Sequence, residues 1–353
     1  MPDWTKSMRQ TFEYYIVDPG TWGDIERIDN VESCSITRDL DNETLGSSSL
    51  NCDTDYTDKY IRVYLVTEQN GIRERTPLST NIYQTPSTKF DGRRNTAEQD
   101  GYTPLIELKE STMPLGYSIR KGENILSLAS MIADEKLRAP VVEGSGEDNL
   151  LDDFVADVND TYLTFLTDLI ANADYRFDLD EMGRVLFAKN QDILSLQPIW
   201  TYTDDNSSIL LPEITVSRDL YGIPNVVEVV YSASDSMPMY AKAVNNDPDS
   251  VVSTISRGRE VVYRETDPNV VEGLTQSQLD EYARELLRSM SSLEYTLTYS
   301  HGYCPVRIGD CVRLNYNRAG LTDVKAKVVS QTINCASGCT VEETAIFTRS
   351  LWG

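Results

Sequence analysis

Residues 293–353 read LEYTLTYSHGYCPVRIGDCVRLNY, a polar break NRAGLTD, then VKAKVVSQTINCASGCTVEETAIFTRSLWG, and the reading of this stretch decides the fold. From Tyr295 to Tyr299 polar residues alternate with aromatic or aliphatic ones. After the turn chemistry of Arg307-Ile308-Gly309-Asp310 the alternation resumes through Val312-Arg313-Leu314-Asn315-Tyr316. A period of two marks half-buried strands, and turns this tight join them antiparallel. Asn317-Arg318-Ala319-Gly320 turns the chain again, and Val324 to Ile333 and Val341 to Thr348 supply a third and a fourth strand. Short strands joined so closely are expected to close as a barrel or sandwich, because closure removes the unpaired edges that otherwise aggregate.

The landmarks come in a particular order. A strand ends in His301-Gly302, then follow a Pro305-Val306-Arg307-Ile308-Gly309-Asp310 turn, the strands Val312-Arg313-Leu314 and Val328-Val329-Ser330-Gln331, and Gly338 before the closing strand. This order resembles the terminal domain of the tail-tip or baseplate hub proteins of bacteriophages and phage-derived contractile particles, the late control protein D-like family. No single motif is specific; the succession of weak ones carries the likeness.

Residues 9 to 108 are also strand-rich. Arg9 to Val17, Ile25 to Ile28, Val31 to Arg38, Ser47 to Cys52, Tyr60 to Thr67, Ile72 to Thr76 and Ser79 to Thr85 are short runs rich in Tyr, Val, Ile and Thr, separated by Asp, Asn and Gly clusters. Val66 to Gly71 is the clearest hairpin signal, since Asn70-Gly71 accepts the positive φ of a type I′ turn. A first small β barrel is therefore expected over residues 1–110. Ser35-Ile36-Thr37-Arg38-Asp39, Leu45-Gly46-Ser47, Tyr60 to Leu65, Pro77 to Thr80, Gln84 to Ser87 and Asp100 to Leu108 follow the order of the first domain of the same hub family.

Residues 111–195 change character and read as an α/β insert. Tyr117 to Ile125 is a strand, a turn and a helix start, with Ile125, Leu128, Ala129 and Ile132 on one helical face. Strand, Lys-Gly-Glu-Asn, helix is also how a peptidoglycan-binding LysM repeat begins, although no second strand is expected after Pro140. A second helix from Asp160 to Ala173 has Asp160 as its expected N-cap, and a hairpin pairs Tyr175 to Leu179 with Val185 to Ala188. Asp178-x-Asp180-x-Met182-Gly183 mimics the opening of an EF-hand loop, but Met stands at its fifth position and Lys189 at its twelfth, so the bidentate carboxylate of a calcium site is missing.

Residues 196–353 form the expected second barrel. Ile223-Pro224-Asn225 before the strand Val226 to Tyr231, Asn246-Asp247-Pro248-Asp249-Ser250 in a loop from Ala233 to Thr254, and Arg257-Gly258-Arg259 before the strand Glu260 to Arg264 again follow the hub order. Thr275-Gln276-Ser277-Gln278 is a capping box. It opens a helix over 275–291 whose stripe of Leu279, Ala283, Leu286, Leu287 and Met290 is expected to lie on this barrel. The fold class is thus α+β, mainly β, with two tail-tube-like β barrels and an α/β insert between them.

Composition narrows the function classes. Fifty-six acidic against thirty-two basic residues leave a formal charge of −24, and such a field repels nucleic acid and anionic membranes. The N-terminus MPDWTKSMRQTFEYY has no apolar run of signal-peptide length, and no window reaches a membrane span, so a soluble product made in the cytoplasm is expected. With no export signal the six cysteines are expected to be reduced. Cys34 and Cys52 read as small packed apolar groups. Cys304, Cys311, Cys335 and Cys339 have the spacing C-x6-C and C-x3-C, which is not that of a zinc ribbon, and leave two readings: packed thiols, or a metal or disulfide cluster if strands bring them together.

Catalytic chemistry finds little support. His301 is the only histidine. Cys304 is three residues away, and an extended Gly302-Tyr303 would turn the two side chains to opposite faces. No G-x-S-x-G, H-E-x-x-H or Walker A pattern occurs. A glycosidase carboxylate pair is not selected by any feature, and no catalytic, cofactor-binding or metal-binding residue is assigned.

The resemblance implies a structural, non-enzymatic hub without cofactors, located at the virion tail tip and assembled in the host cytoplasm. It implies a homotrimer whose two barrels per chain present six similar units and so join a sixfold tube to a threefold tip. The implied partners are the tail-tube or distal tail protein, the C-terminus of the tape-measure protein, and the spike or fibre-bearing tip, with no specific nucleic-acid binding and an acidic wall along the DNA channel. Edge strands and the polar loops 86–99 and 233–254 are the expected contact surfaces. The alternative from a different class is a tail-associated protein that binds or hydrolyses peptidoglycan.

Overall fold

A computed structural model describes residues 2–232, 238–266, 268 and 275–350. The chain is mainly β, and it divides into two compact units. One comprises residues 1–214 and 298–345; the other comprises 215–297 and 346–353.

The first unit begins with seven strands: β1 (Arg9–Val17), β2 (Asp24–Ile28), β3 (Val31–Asp39), β4 (Gly46–Cys52), β5 (Lys59–Gln69), β6 (Ile72–Phe90) and β7 (Asn95–Tyr102). Their order in the sheet is β3-β4-β7-β6-β5-β1-β2. The expected Asn-Gly hairpin is present: Gln69 pairs with Ile72, and Asn70 and Gly71 both have positive φ, 54° and 79°. The two runs read from sequence on either side of Pro77 are one strand, β6, with a register shift opposite Val63 and Tyr64. The sheet covers an apolar core that includes Tyr14, Ile28, Cys34, Ile36, Leu50, Cys52, Ile61, Val63, Leu65, Leu78 and Tyr83, and Val17, Tyr60 and Ile82 form a smaller one. Burying each large aliphatic side chain there contributes about 1.5–3 kcal/mol.

Helices enter next. The segment runs α1 (Ile106–Glu110), β8 (Ser118–Ile119), α2 (Ile125–Lys136), β9 (Phe154–Val155), α3 (Tyr162–Ala171), β10 (Tyr175–Leu179) and β11 (Val185–Lys189). The inward stripe of α2, with Ile125, Ala129 and Ile132, and that of α3, with Leu163, Leu166 and Ile170, share one core. Asp160 is not the N-cap of α3; Thr161 is, accepting from the Thr164 amide at 3.1 Å, while the Thr164 hydroxyl takes the Thr161 amide at 2.9 Å. The reciprocal pair satisfies two amides that a lone Asp160 cannot. A second strand does follow Pro140: β9 pairs antiparallel with β8, Ser118 opposite Val155. That strand is only two residues long, too short to leave a periodicity in sequence.

The β10–β11 hairpin is pinned to the first sheet by a buried arginine. Arg62, 1% exposed, bonds Asp24 at 2.7 Å, the Thr80 hydroxyl at 2.9 Å, and the carbonyls of Trp22 and Met182 at 3.2 and 3.1 Å. The hairpin turn approaches so closely that a Cβ on Gly183 would stand 2.7 Å from Thr80 Cβ, and its φ is +76°. Only glycine fits on both counts.

The remaining elements are β12 (Pro198–Thr203), β13 (Leu210–Arg218), β14 (Val226–Tyr231), β15 (Met239–Val244), α4 (Thr254–Arg257), β16 (Val262–Glu265), α5 (Gln276–Met290), β17 (Ser292–Gly302), β18 (Cys311–Tyr316), β19 (Leu321–Asn334) and β20 (Thr340–Ser350). The expected antiparallel pair β18–β19 forms, but β12 lies parallel to β18, Tyr202 opposite Leu314. β19 is long enough to pair twice. Its first half pairs with β18, and residues 330–334 pair antiparallel with β3, Ser330 opposite Asp39 and Asn334 opposite Ser35.

That second pairing changes the expected architecture. The two strand-rich ends are joined in one sheet of thirteen strands whose path is open, β13-β17-β20-β19-β3-β4-β7-β6-β5-β1-β2, with no closed barrel among the described residues. Closure is expected from sequence because it removes unpaired edges, and here β19 and β3 cover each other's edges without it.

The second unit contains the three-stranded sheet β15-β14-β16, with β14 antiparallel to β15 and parallel to β16. Residues 233–254, expected as a loop, contain β15; residues 233–237 lie outside the described residues. Helix α5 has its predicted capping box at Thr275 and Gln278. Its stripe packs on this small sheet, Leu279, Ala283 and Leu287 against Val227, Val229, Ala241 and Ala243, strands within the 196–353 stretch on which the sequence reading lays the helix. The buried face of β14 and β15 takes up the helix stripe, and β15 was the strand missing from that reading.

Candidate functional site

His301 and Cys304 were expected on opposite faces of a strand; the structure brings them together. β17 ends at Gly302, so alternation stops there, and the chain bends back to put Cys304 Sγ 3.9 Å from His301 Nδ1. His301 is fully buried with Tyr202, Tyr299, Gln331 and Glu343, drawn from β12, β17, β19 and β20. Sequence reasoning missed Glu343 and Tyr202. The available signal for Glu343 was its position in β20, between Val341 and Ala345 on the inward face.

Glu343 is the centre of this cluster. Its Oε2 accepts from Gln331 Nε2 at 2.7 Å and faces His301 Nε2 at 3.3 Å; its Oε1 accepts from the Tyr299 hydroxyl and, at 3.4 Å, from Tyr202. Tyr202 Oη also lies 3.1 Å from His301 Nε2, and His301 Nδ1 lies 2.8 Å from the Gly302 carbonyl. Gln331 spends its second amide proton on the Val306 carbonyl at 3.0 Å, and its carbonyl accepts from Arg38 at 3.3 Å. Burial works against a charged imidazole, but the Cys304 sulfur and the Glu343 carboxylate outweigh it and push His301 up to about 10. Burial, then Glu343, holds the Tyr299 and Tyr202 phenols well above their ordinary value. With every atom facing a protein partner and no exposed surface, the cluster can bind four strands together; it cannot receive a substrate.

The cysteines separate by place. All six are free thiols and buried. Cys34, Cys52, Cys335 and Cys339 lie in the apolar core of the first sheet, where the Cys335 amide bonds the Cys34 carbonyl at 3.0 Å, and Cys311 packs in β18. Cys304 is with His301. The C-x6-C and C-x3-C pairs therefore do not converge, and no group of three or more His, Cys, Asp or Glu among the described residues has the geometry to hold a metal. Asp178 and Asp180 of the EF-hand-like stretch are each beside an arginine, Arg307 at 3.6 Å and Arg184 at 2.6 Å.

Open grooves lie on the surface, among them one of about 790 Å³ beside α2 lined by Asn124, Ser127, Glu143 and Glu147. A cavity of about 40 Å³ lies between β3, β6 and the β10–β11 hairpin, lined by Arg38, Thr80, Glu181 and Arg307 among others. Small-molecule sites enclose about 300–1,000 Å³, so this cavity is too small for a sugar. In the LysM-like segment the loops on either side of α2 are tied to each other, Gly122 N to Leu150 O at 2.9 Å and Ile125 N to Asp148 O at 3.1 Å.

In the second unit three motifs quoted from sequence prove to be one knot. The fully buried Asn225 side chain donates to the carbonyls of Val252 and Arg259, both at 3.0 Å, and accepts from the Val261 amide at 2.7 Å. Arg257 donates to the carbonyls of Ile223 and Leu220 at 2.8 and 2.7 Å. Asn245, also buried, donates to Ser250 Oγ at 3.0 Å. Ile-Pro-Asn, Asn-Asp-Pro-x-Ser and Arg-Gly-Arg are thus the polar wiring of a loop cluster.

No protein-family model and no curated protein sequence matches the chain. Solved structures do. A tail protein from Neisseria meningitidis MC58 superposes with a TM-score of 0.61 at 13% identity, covering 96% of this chain and 97% of that one. The 43 kDa tail protein of prophage MuSo2 from Shewanella oneidensis gives 0.57 at 11% identity, covering 95% and 98%. The E. coli c3393 protein, a component of the type VI secretion system described as structurally similar to the T4 bacteriophage tail proteins gp27 and gp5, gives 0.51 at 10% identity over 96% of this chain and 78% of that one. Along almost its whole length, this chain has the fold of phage tail proteins, as the order of its motifs implied.

Proposed function

We propose that the chain is a structural hub of a phage-type tail: a homotrimer at the distal end of the tail tube that joins the sixfold tube to a threefold tip. The observation that carries this reading is the end-to-end likeness in fold to two tail proteins, each covered almost completely. In this reading residues 1–110 and 196–353 each supply one β-rich module of the open sheet, matched to a tube subunit, and 111–195 the insert between them. Two similar modules per chain let three chains meet six tube subunits with repeated contacts. The tube or distal tail protein and the tape-measure C-terminus meet one face of the ring, the spike or fibre-bearing tip the other. A charge of −24 keeps the channel wall from holding DNA. The fully enclosed His301–Glu343 cluster fits a load-bearing part better than a catalyst. Sedimentation of the purified chain tests the proposal: a trimer is expected, and a strictly monomeric species at high concentration overturns it.

A second reading, peptidoglycan binding by residues 117–155, draws on the β8–β9 pair that flanks α2. Retention of the full chain on cell-wall sacculi favours it; the hub reading expects none, and expects no clearing on a cell-wall zymogram.

A further inference from the structure

Among the described residues a basic projection and an apolar ledge stand in an acidic field, and the two match. β6 pairs with β5 only as far as Tyr83, and β7 pairs with β4 only from Ala97 onward, so beyond these points β6 and β7 continue as a free two-stranded ribbon. Residues 85–95 are exposed without a break. A strand packed on one face hides every second residue; here neither face is covered, and two further pairs, Lys89 with Thr96 and Phe90 with Asn95, carry the ribbon about 7 Å beyond Ala97 before it turns. Sequence had this segment, 86–99, as a polar loop. The Asp91-Gly92 turn makes it a hairpin: Gly92 has φ +92°, and Asp91 Oδ1 accepts from the Arg93 and Arg94 amides at 2.8 and 2.9 Å. At its tip are Lys89, Arg93, Arg94 and Phe90, the last 67% exposed. Arg93 and Arg94 share an open groove with Asp29, Glu32 and Asp53, yet among the described residues none of the three cations is in an ion pair.

The ledge is at β9. Leu150 faces the core and Phe154 packs against it, which turns Leu151 and Val155 outward, 82% and 58% exposed, with Val158 following at 79%. Asp152, Asp153 and Asp157 rim it, and residues 139–175 contain nine carboxylates and no lysine or arginine. Both features belong to the same compact unit.

We infer that the β6–β7 arm of one copy docks on the Leu151–Val158 ledge of a second copy, Phe90 on the apolar strip and Lys89, Arg93 and Arg94 against its aspartates. Charge selects the occupant. A second copy offers the ledge what an acidic chain otherwise lacks, whereas a polyanion would meet three cations on a body of charge −24. Because arm and ledge are different surfaces, the contact is head-to-tail, the type that closes into a ring when the rotation allows. The inference rests on the ring reading above and names its contact.

Sedimentation velocity on the full chain tests it. The K89E/R93E/R94E variant should raise the concentration at which chains associate by about tenfold or more, and adding D152K/D153K/D157K should restore association. An exposed ribbon tolerates such changes; should circular dichroism show a variant misfolded, mixed F90C and V155C chains are joined instead with a short bismaleimide. The F90C–V155C product is then expected, and its absence overturns the inference. Unchanged association of the charge-reversed arm, or no recovery in the swapped chain, likewise overturns it and leaves the trimer standing. A wild-type chain that stays monomeric removes the ring reading and the contact together. Retention of wild type, but not the arm variant, on duplex DNA would assign the arm to nucleic acid instead.

Discussion

Two buried regions of the first unit are built on opposite principles. The core under β1 to β6 is apolar, with Leu50, Ile61, Val63 and Leu65 at 0% exposure. The region under β12, β17, β19 and β20 is equally enclosed yet holds a histidine, a glutamate, a glutamine and two tyrosines whose polar atoms answer one another. The first is non-directional, and volume-conserving apolar swaps in it cost less than about 1.5 kcal/mol. The second demands every partner, because an orphaned charge inside a protein costs far more than a pair contributes. The contrast teaches where specificity resides: the apolar core supplies bulk stability, and the polar cluster determines which strands of residues 196–345 meet.

The comparison can be broken at Glu343 first. Glu343→Ala should cost about 3–5 kcal/mol in denaturant unfolding, since it strands the imidazole and two phenols. The double variant His301→Phe, Glu343→Leu should cost less than that single change. If it costs more, the cluster contributes net stability beyond specificity.

Leu50→Ala on the apolar side should cost about 2–5 kcal/mol by the same measurement, from lost burial and the cavity left behind. Its cost should not vary with pH.

The polar region, by contrast, should be pH-sensitive. His301 titrates near 6.5 when exposed and near 10 in the fold, so its contribution is complete below about pH 6.5 and is lost as pH rises through 10. Between pH 7 and 8.5, below the range where phenols ionise, stability should fall by up to about 1.4 kcal/mol per pH unit, and His301→Asn should flatten that slope. A slope the same in wild type and variant would refute the pairing.

The smallest effect sharpens the contrast. Tyr299→Phe removes one hydroxyl donor to a carboxylate and should cost about 1.5–3 kcal/mol. Tyr83→Phe under the first sheet breaks only a neutral bond with Ser48, 2.9 Å long, and should cost about 1 kcal/mol.

Local elements were legible where a local cause makes them. The Asn70-Gly71 hairpin, the β10–β11 hairpin and the α5 capping box were readable because turn and cap chemistry lies within four residues. What escaped depends on partners far away in the chain. β12 was missed because its environment is the parallel edge of β18, and the β19–β3 pairing because nothing in either strand names the other. The β6–β7 ribbon is a different failure: Asp91-Gly92 is a strong hairpin signal, overlooked because the residues around it are charged and lack the alternation a covered strand shows. In the polar cluster His301 was conspicuous as a lone histidine, but its meaning depends on Glu343, forty-two positions later and ordinary among so many acids.

The ladder between β3 and β19 sets a clock. Arg38 and Gln331, bonded in the finished molecule, are 293 residues apart. Translation at about 5–20 residues per second means that the outer edge of β3 waits roughly 15–60 s for its neighbour to leave the ribosome. Until then a nascent chain bears an unsatisfied strand that any other nascent copy could borrow. Slowing synthesis near the 3′ end of the message, or truncating it before Leu321, should convert soluble product into inclusion bodies, while a supplied peptide of residues 321–334 should rescue part of it.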